Sequence, residues 1–160
     1  MLTSRAKYAV RATLVLAELK AVNGWTSATE LAEAADVPRK FLEAILTQLR
    51  DHALLESRRG PAGGHRLAAQ PSQVSVADII RAIDGPLAMT PCASVTAFRA
   101  CDDCADVAKC RMRALMRRAR DAVASVLEEC TLADLIEEGR LPNRLKQRRR
   151  TARKQLTEDA

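Results

Sequence analysis

Four cysteines, Cys92, Cys101, Cys104 and Cys110, lie within nineteen residues of a chain whose first ninety residues contain none. Thiolates concentrated in this way are soft ligands that select zinc, copper(I) or an iron-sulfur cluster. The fifth cysteine, Cys130, stands apart from the others. In a reducing compartment, an odd number of cysteines argues for metal binding or redox sensing over a framework of structural disulfides. The spacing therefore predicts a metal or redox centre between residues 92 and 110.

Such thiols can form several kinds of metal or redox centre. Four thiolates can hold an iron-sulfur cluster of the 2Fe-2S or 4Fe-4S type or a structural zinc ion, although only one Cys-x-x-Cys pair occurs. The thiols can also act as a redox switch. A thiol-disulfide oxidoreductase would use Cys101 and Cys104, but that motif needs a strand-to-helix setting, and no alternation of strands and helices surrounds it. We therefore expect a protein that is not an enzyme.

Length and composition limit the kind of fold that positions these thiols. The chain has 160 residues, which is room for one ordinary domain or for a small domain with an appended arm. Aromatic residues make up 2% of the sequence, so the core must come from Ala, Leu, Ile and Val, as is typical of packed helices. Charged residues interrupt the first twenty-one positions, which form neither a signal peptide nor a membrane span. We expect a mainly helical cytoplasmic protein with no membrane partner.

Apolar periodicity predicts two helices at the start of the chain. The first covers residues 4–20 with a broad apolar face, and the pair Asn23-Gly24 ends it. Ser27, with Glu30 three residues later, has the form of a capping box and predicts a short second helix. A turn at residues 36–38 follows this helix.

A third helix is predicted over residues 38–52, with Pro38 at its first helical position. Its apolar residues repeat at helical spacing and are expected to face the core: Leu42, Ile45, Leu46 and Leu49. Its free face carries charged and hydrogen-bonding side chains: Arg39, Lys40, Glu43, Gln48 and Arg50. A short helix, a tight turn and a longer helix with a polar free face are typical of a helix-turn-helix motif, whose second helix enters the major groove of DNA.

The next segment predicts the wing of a winged helix-turn-helix domain. Residues 54–58 and 65–68 can pair as short strands around a glycine-rich tip at residues 59–64. Arg58, Arg59 and Arg66 are expected near this tip, where guanidinium groups can contact phosphates or enter the narrow minor groove. We therefore predict that Arg58, Arg59 and Gly60 belong to a DNA-binding surface.

A fourth helix and a last short helix flank the cysteine segment and the long helix that follows it. Ser75 and Asp78 are expected to cap the fourth helix, which stops at residues 84–86. Thr131 and Asp134 are expected to cap the last one, which ends at Gly139. The segment between residues 86 and 110 has too little apolar periodicity to fold alone, so a bound metal would supply the order that it lacks.

A long dimerisation helix is predicted from residue 110 to residue 130. Six apolar residues repeat with spacings of 4, 3, 4, 3 and 4, which is typical of a coiled-coil seam. They are Met112, Met116, Ala119, Val123, Val126 and Cys130. Leu115 and Ala122 supply a second, adjacent stripe, which is expected to pack against the helix's own domain.

The charge pattern completes the predicted organisation. The net charge is +6, and residues 140–160 carry eight Lys or Arg against two Asp or Glu. Such a tail either contacts phosphates without reading sequence or is a disordered solubilising extension. We predict a winged helix-turn-helix domain at residues 1–85, a cysteine loop at 86–110, a dimerisation helix with a short final helix at 111–139, and a basic tail at 140–160.

Three stretches of the sequence resemble a known family. The stretches LTSRAKYAV at residues 2–10, FLE at 41–43 leading to Leu49-Arg50, and SRRGPAGGHRL at 57–67 are similar to the Rrf2 family of bacterial winged-helix transcriptional regulators. The resemblance covers roughly residues 1–139, and its most specific part is the wing motif with its spacing from the Leu-Glu pair. The basic tail lies outside it.

The resemblance implies a homodimer in which each winged helix docks in the major groove of one half of a palindromic double-stranded DNA operator. It places Glu43 where these proteins read base edges, and a carboxylate can accept a hydrogen bond from cytosine N4. It also places Arg59 in the minor groove. The family often has hydroxyl and tyrosine side chains before the Leu-Glu pair, where this chain has Arg39, Lys40 and Phe41. The preferred DNA sequence therefore does not transfer.

For the cysteines, the resemblance implies an iron-sulfur cluster that senses iron, nitric oxide or redox state. Matching the relatives' cysteines gives three ligands: Cys92, Cys104 and Cys110. Some relatives add a histidine three residues after the last cysteine, where this chain has Arg113. Others use a carboxylate near the start of the first helix, where this chain has Lys7 and Tyr8. Cys101 is therefore the candidate for a fourth ligand.

Overall fold

The computed structural model describes residues 2–19, 24–104 and 106–137. Within these ranges the chain forms six α-helices and a two-stranded antiparallel sheet, which confirms the predicted mainly helical fold with a small hairpin. The elements are α1 (Ser4–Leu19), α2 (Ala28–Ala35), α3 (Arg39–Asp51), β1 (Leu55–Arg58), β2 (Gly64–Leu67), α4 (Val76–Asp84), α5 (Arg111–Glu128) and α6 (Leu132–Ile136). The predicted helix ends at Lys20 and Gly139 and the basic tail lie outside the described residues.

Helix α1 lies at the centre of the core because one of its faces carries small side chains. Ala6, Ala9 and Ala12 are fully buried, and their small size lets α2, α3, α4 and α6 pack against the same helix. Thr13 is also fully buried. Its hydroxyl donates to the carbonyl of Ala9 at 2.9 Å, so this buried hydroxyl is paired.

The helix-turn-helix forms through the local signals that the sequence carries. Ser27 Oγ accepts from the Glu30 amide at 3.2 Å, and the Glu30 carboxylate accepts from the Ser27 amide at 2.9 Å, which confirms the capping box. Asp36, with φ of 49°, ends α2 in the left-handed region. Pro38 has an extended ψ of 127° and lies at the N-cap of α3, so the prediction that it opens the helix is wrong by one residue. The four predicted core residues of α3 are buried: Leu42, Ile45, Leu46 and Leu49.

The wing is a hairpin whose inner face joins the core. Leu55 of β1 pairs with Leu67 of β2, and both side chains are buried. His65 also pairs with Thr26 in an isolated bridge, which extends the hairpin onto the segment before α2. At the tip, the Gly63 amide donates to the carbonyl of Gly60 at 2.9 Å. The hairpin is therefore fixed to the domain at its base and projects at its tip.

A second, smaller apolar cluster joins α5 to α4. Val76, Ile80 and Cys130 are its buried members, and Leu127 packs against them. The Val76 amide donates to the carbonyl of Cys130 at 2.8 Å, which fixes the end of α5 beside the start of α4. Cys130 is therefore a small buried side chain within its own chain, and its predicted placement on the dimer seam is wrong because α5 ends before it.

The rest of α5 turns a different apolar face outward. Met112 is 60% exposed, Leu115 is 53% exposed and Val123 is 47% exposed. The side of α5 that faces its own domain carries Ala124, which is 6% exposed, and Leu127. The expectation that Leu115 and Ala122 pack against their own domain is therefore wrong, since both are exposed.

Helix α6 returns the chain to the core around α1. Leu132 is fully buried in that core, and its amide donates to the carbonyl of Val74 at 3.0 Å. Across residues 2–19, 24–104 and 106–137, no helix combines the length and the apolar character that crossing a bilayer requires. The division of the chain at residues 85, 110 and 139 stays a prediction.

Candidate functional site

The free face of α3 exposes four of its predicted side chains, with Gln48 half-buried, and two of the exposed ones are paired with each other. Arg39 and Glu43 form an ion pair at 2.9 Å one helical turn apart, with 63% and 57% of their side chains exposed. Lys40 extends over the Phe41 ring, with its ammonium 4.9 Å from the ring centroid. To bind another hydrogen-bond donor, the Glu43 carboxylate must therefore release Arg39.

The C-terminal half of the same face is supported by α1. The Gln48 side-chain oxygen accepts a hydrogen bond from the Arg5 guanidinium, and Arg50 pairs with Asp51 at 2.8 Å. Arg5 is a cation on this surface that the sequence analysis missed. Residues 5 and 48 lie far apart in the sequence, and only the packing of α1 on α3 brings them together.

The wing divides its arginines between the tip and the base. Arg58 and Arg59 are exposed beside Gly60, whose φ is 107°. Arg66 instead pairs with Glu56 on the opposite strand at 2.6 Å, and its guanidinium lies 4.5 Å from the Trp25 ring centroid. Only the first two arginines are therefore placed to contact a ligand at the tip.

His65 lies near the tip of the wing, in the pair next to the closing pair of Arg58 and Gly64. Its Nδ1 is 2.9 Å from Ser57 Oγ on the paired strand. Burial lowers the pKa of His65, and the nearby positive charge of Arg50 lowers it further. The imidazole is therefore held in its neutral form where the wing meets the C-terminal end of α3.

The cysteine segment begins at a 3₁₀ turn, Pro91–Ala93, that is anchored to α5. Cys92 is 6% exposed, and its sulfur is 3.4 Å from the Thr90 hydroxyl. The Arg113 guanidinium donates from Nε to the Cys92 carbonyl at 2.9 Å and lies 5.5 Å from the Phe98 ring centroid. Arg113, at the position where some relatives have a histidine, thus holds the turn against the first turn of α5.

The other end of the segment is fixed by the start of the same helix. Cys110 is the N-cap of α5, and its sulfur accepts from the Arg113 amide at 3.4 Å. The N-terminus of a helix carries a partial positive charge, and the first turn also contains Arg111 and Arg113 without an acidic residue. The start of α5 therefore places positive charge beside the Cys110 sulfur.

The four thiols approach one another as two pairs. The Cys92 and Cys101 side chains are near enough to shift each other's pKa, and Cys110 likewise shifts the pKa of Cys104. A turn, in which the Cys104 amide donates to the Cys101 carbonyl at 3.2 Å, joins the two pairs. All four are free thiols. In the part of the chain that the structure describes, no three Cys, His, Asp or Glu side chains converge closely enough to hold a metal ion.

The environments of the thiols differ. The hydrogen bond with Thr90 lowers the pKa of Cys92 despite its burial, and Cys101 and the charge of Arg113 add to the effect. The hydrogen bond to Cys92 raises the pKa of Cys101, as does burial. Burial raises the pKa of Cys104, and Cys110 contributes to that shift. The pKa values of Cys92 and Cys101 are therefore shifted in opposite directions.

The donor set fits a metal-thiolate centre, which is anionic, better than it fits a site for a hard cation. Cys110 caps the positive end of α5 and Arg113 binds the Cys92 carbonyl, while hard cations such as Ca²⁺ and Mg²⁺ prefer oxygen ligands to thiolates. The paired arrangement shows that the segment would have to bring its two pairs together to hold one centre.

Comparisons with known proteins agree with the fold described above. A family model described as Rrf2, iron-dependent transcriptional regulator, matches residues 2–138. An HTH-type transcriptional regulator of Rhodobacter capsulatus, named rrf2-like, is 37% identical over 141 residues, covering 87% of this chain and 94% of the relative. The HTH-type transcriptional regulator IscR of Vibrio atlanticus is 32% identical over 137 residues, covering 86% of this chain and 75% of the relative. The structure of CymR, the global cysteine regulator of B. subtilis, superposes with a TM-score of 0.67 at 31% identity, covering 86% of this chain and 96% of that one.

Proposed function

Because this chain belongs to the Rrf2 family of transcriptional regulators, we propose that it binds a palindromic operator as a homodimer and senses iron, nitric oxide or redox state through its cysteines. The family and the relatives are transcriptional regulators and not enzymes, which confirms the prediction from sequence. The proposed activity on chromosomal DNA places the protein in the bacterial cytoplasm. The observation that supports the sensing function is the concentration of four thiols in one segment, which ends with Cys110 at the N-cap of α5.

The DNA-binding surface that we propose combines α3 with the wing. In the major groove, α3 would present its exposed side chains: Arg39, Lys40, Glu43, Gln48 and Arg50. Glu43 is the candidate for reading a base, because a carboxylate accepts from cytosine N4. Arg58 and Arg59 would follow the phosphates or enter the minor groove, with Gly60 allowing the backbone to come close.

The dimer interface that we propose is the exposed apolar stripe of α5. Met112, Leu115 and Val123 are each about half exposed or more in the single chain, and Ala119 and Val126 lie on the same side. Positions 112, 115, 119, 122 and 126 alternate spacings of three and four residues, which is the pattern of a coiled-coil seam. This stripe supports the interface better than the seam through Cys130, which is buried in its own chain.

The cysteine segment is proposed to hold an iron-sulfur cluster, with Cys92, Cys104 and Cys110 as ligands and Cys101 as the fourth thiolate. Such a cluster, when bound, supplies a centre that exchanges electrons and is lost or altered by oxidants and nitric oxide. The chain itself contributes the thiols, the cation Arg113 and the positive end of α5. The positive charges of Arg113 and of the helix end would offset the negative charge of the thiolates, which favours the deprotonated form of these ligands.

Anaerobic purification followed by absorbance spectroscopy and by assay of iron, sulfide and zinc tests the proposed centre. We expect iron and sulfide with visible absorbance, lost in Cys92→Ser, Cys104→Ser and Cys110→Ser, and weakened in Cys101→Ser. Cys130→Ser is the matched control, since Cys130 packs against α4 and should leave the iron content unchanged. Stoichiometric zinc without iron or sulfide would replace the cluster with a structural zinc site and overturn this part of the proposal.

A further inference from the structure

Phe41 is an exposed apolar side chain in the first turn of α3. Its amide donates to the Pro38 carbonyl at 2.9 Å, and 45% of the residue is exposed. Among the described residues up to the end of α4, only Leu2 and Phe41 are large apolar residues left so exposed. When the second helix of a helix-turn-helix enters the major groove, its N-terminal residues contact the base edges. Phe41 therefore lies where the proposed surface would meet the bases.

Helix α1 supports the Phe41 ring from one side. The ring centroids of Tyr8 and Phe41 are 6.5 Å apart, with their planes tilted by 36°, and Tyr8 packs against the main apolar core. The Lys40 ammonium lies 4.9 Å from the centroid of the Phe41 ring. An aromatic side chain has only two χ angles to order when it binds. The ring is thus held at the surface, beside a cation, and loses little entropy in a complex.

Phe41 points in a different direction from Glu43. Residues two positions apart on a helix do not face each other, so the two side chains leave α3 on different sides. Residues seven positions apart lie on the same side, and Gln48 is the polar residue seven positions after Phe41. Gln48 accepts from Arg5 of α1, so this side of α3 lies toward α1. Phe41 would therefore contact a base position distinct from that of Glu43.

The chemistry of the ring limits what it can select. The Phe41 side chain has neither a hydrogen-bond donor nor an acceptor. Base edges in the major groove present hydrogen-bonding groups, apart from the methyl group on C5 of thymine. A ring pressed against the polar edges would leave them without partners, which costs free energy. The thymine methyl group is therefore the chemical group that the ring matches, and apolar side chains do contact it.

On the basis of the DNA-binding function proposed above, we propose that Phe41 is a specificity-determining residue whose ring packs against the 5-methyl group of one thymine in each half of the operator. Such a contact discriminates thymine from cytosine and from uracil, which lacks only that methyl group. Burying one methyl-sized group changes affinity roughly fourfold, so two half-sites give roughly sixteenfold for a dimer. 5-Methylcytosine carries its methyl group on the same ring carbon and should satisfy the same contact.

Substitution of uracil for thymine tests this contact. The anaerobically purified full-length chain first selects a duplex from a random-sequence library, and fluorescence anisotropy then measures its affinity. Each thymine is replaced by uracil, one pair of symmetry-related positions at a time. We expect one such pair at which uracil weakens binding of the parent roughly sixteenfold and at which Phe41→Ala binds the thymine and uracil duplexes equally. At that pair, 5-methylcytosine opposite guanine should bind the parent more tightly than cytosine opposite guanine.

Phe98→Ala is the matched control. Phe98 is 53% exposed, but it lies in the cysteine segment beside Arg113, so this variant should show the same loss with uracil as the parent. Circular dichroism checks the fold of both variants. The inference is overturned if no uracil substitution weakens binding of the parent, a result that needs no variant. It is also overturned if Phe41→Ala retains the full loss, which would assign the methyl contact to another residue.

The result is separable from the proposed function itself. A parent chain that prefers no sequence over random DNA would contradict the proposed operator binding, and the role of Phe41 with it. A parent chain that selects an operator but binds its thymine and uracil forms equally would leave the operator binding intact and contradict only the role of Phe41.

Discussion

At the scale of single residues, Glu43 and Arg59 are expected to contribute to DNA binding in different ways. Glu43 is held by Arg39 in the free chain, so binding a base requires that an exposed ion pair open. Exposed pairs of this kind contribute little, about 0–1 kcal/mol, and opening one is a small obstacle. Arg59 lies exposed at the wing tip, where a cation attracts any phosphate backbone.

Comparing the affinities of variants for operator DNA and for random DNA therefore distinguishes the roles of the two residues. Arg59→Ala should weaken binding to both kinds of DNA and reduce the dependence of affinity on salt. Glu43→Ala should mainly relax discrimination at one base position, by about 1–3 kcal/mol. Fluorescence anisotropy over a range of salt concentrations measures both effects. An equal loss on operator and random DNA for Glu43→Ala would count against a base-reading role.

At the scale of elements, α5 has three faces with different surroundings. One packs on α4 through Ala124 and Leu127, one carries the exposed apolar stripe with Leu115, and one is polar apart from Ala114, which is also exposed. Exposed apolar stripes of this length are typical of interaction surfaces. The exposed stripe lies on a helix that is joined to both the cysteine segment and α4, and it supports a dimer across α5.

The dimer prediction compares adjacent positions on different faces. Leu115→Glu should weaken dimerisation by about 2 kcal/mol or more, or roughly 30-fold, because it places a charge in an apolar interface. Ala114→Glu introduces the same charge one residue earlier on the polar face and should leave the dimer intact. Sedimentation velocity over a range of concentrations measures the association, and circular dichroism checks the fold of each variant. The seam assignment fails if both variants remain dimers of unchanged affinity.

At the scale of the whole molecule, a continuous set of contacts joins the cysteine segment to the proposed DNA-binding surface. Arg113 links Cys92 to α5, and α5 packs on α4 through the small apolar cluster. An ion pair between Arg81 of α4 and Glu128 of α5 reinforces that junction. Helix α4 in turn packs against α3. A change at the thiols thus has a physical route to the helix that we propose reads DNA.

The coupling prediction concerns the ion pair at this junction. Allosteric coupling between sites is typically about 1–3 kcal/mol. Arg81→Gln should reduce the ratio of operator affinities between the metal-loaded and metal-free states, while leaving stability within about 1 kcal/mol because the pair is partly exposed. Arg11→Gln removes a comparable exposed pair with Asp36 that lies away from α5, and it should leave the ratio unchanged. Identical ratios in the parent and Arg81→Gln would exclude this pair from the coupling.

The local fold was predictable from sequence because its determinants are close together along the chain. Capping boxes at Ser27, Ser75 and Thr131 form between residues three positions apart. The core face of α3 follows from helical periodicity, and the wing follows from its glycine-rich tip between two strand-forming runs. The family resemblance depended on the same local motifs. The sequence by itself therefore determined the order of the elements and the concentration of thiols at one point.

Only the tertiary structure decided which side chains meet. The spacing of the cysteines indicated soft metal ligands, but not that Cys101 lies near Cys92 and Cys104 near Cys110. Arg113 reaches the Cys92 carbonyl across 21 positions, and Cys130 leaves the seam because the chain turns into α6. Loop residues have no fixed period, and a helix with several apolar stripes does not specify which stripe its own domain covers. Long-range packing determined both the neighbours of the loop residues and the stripe of α5 that is buried, because packing depends on the shapes of surfaces that are distant in the sequence.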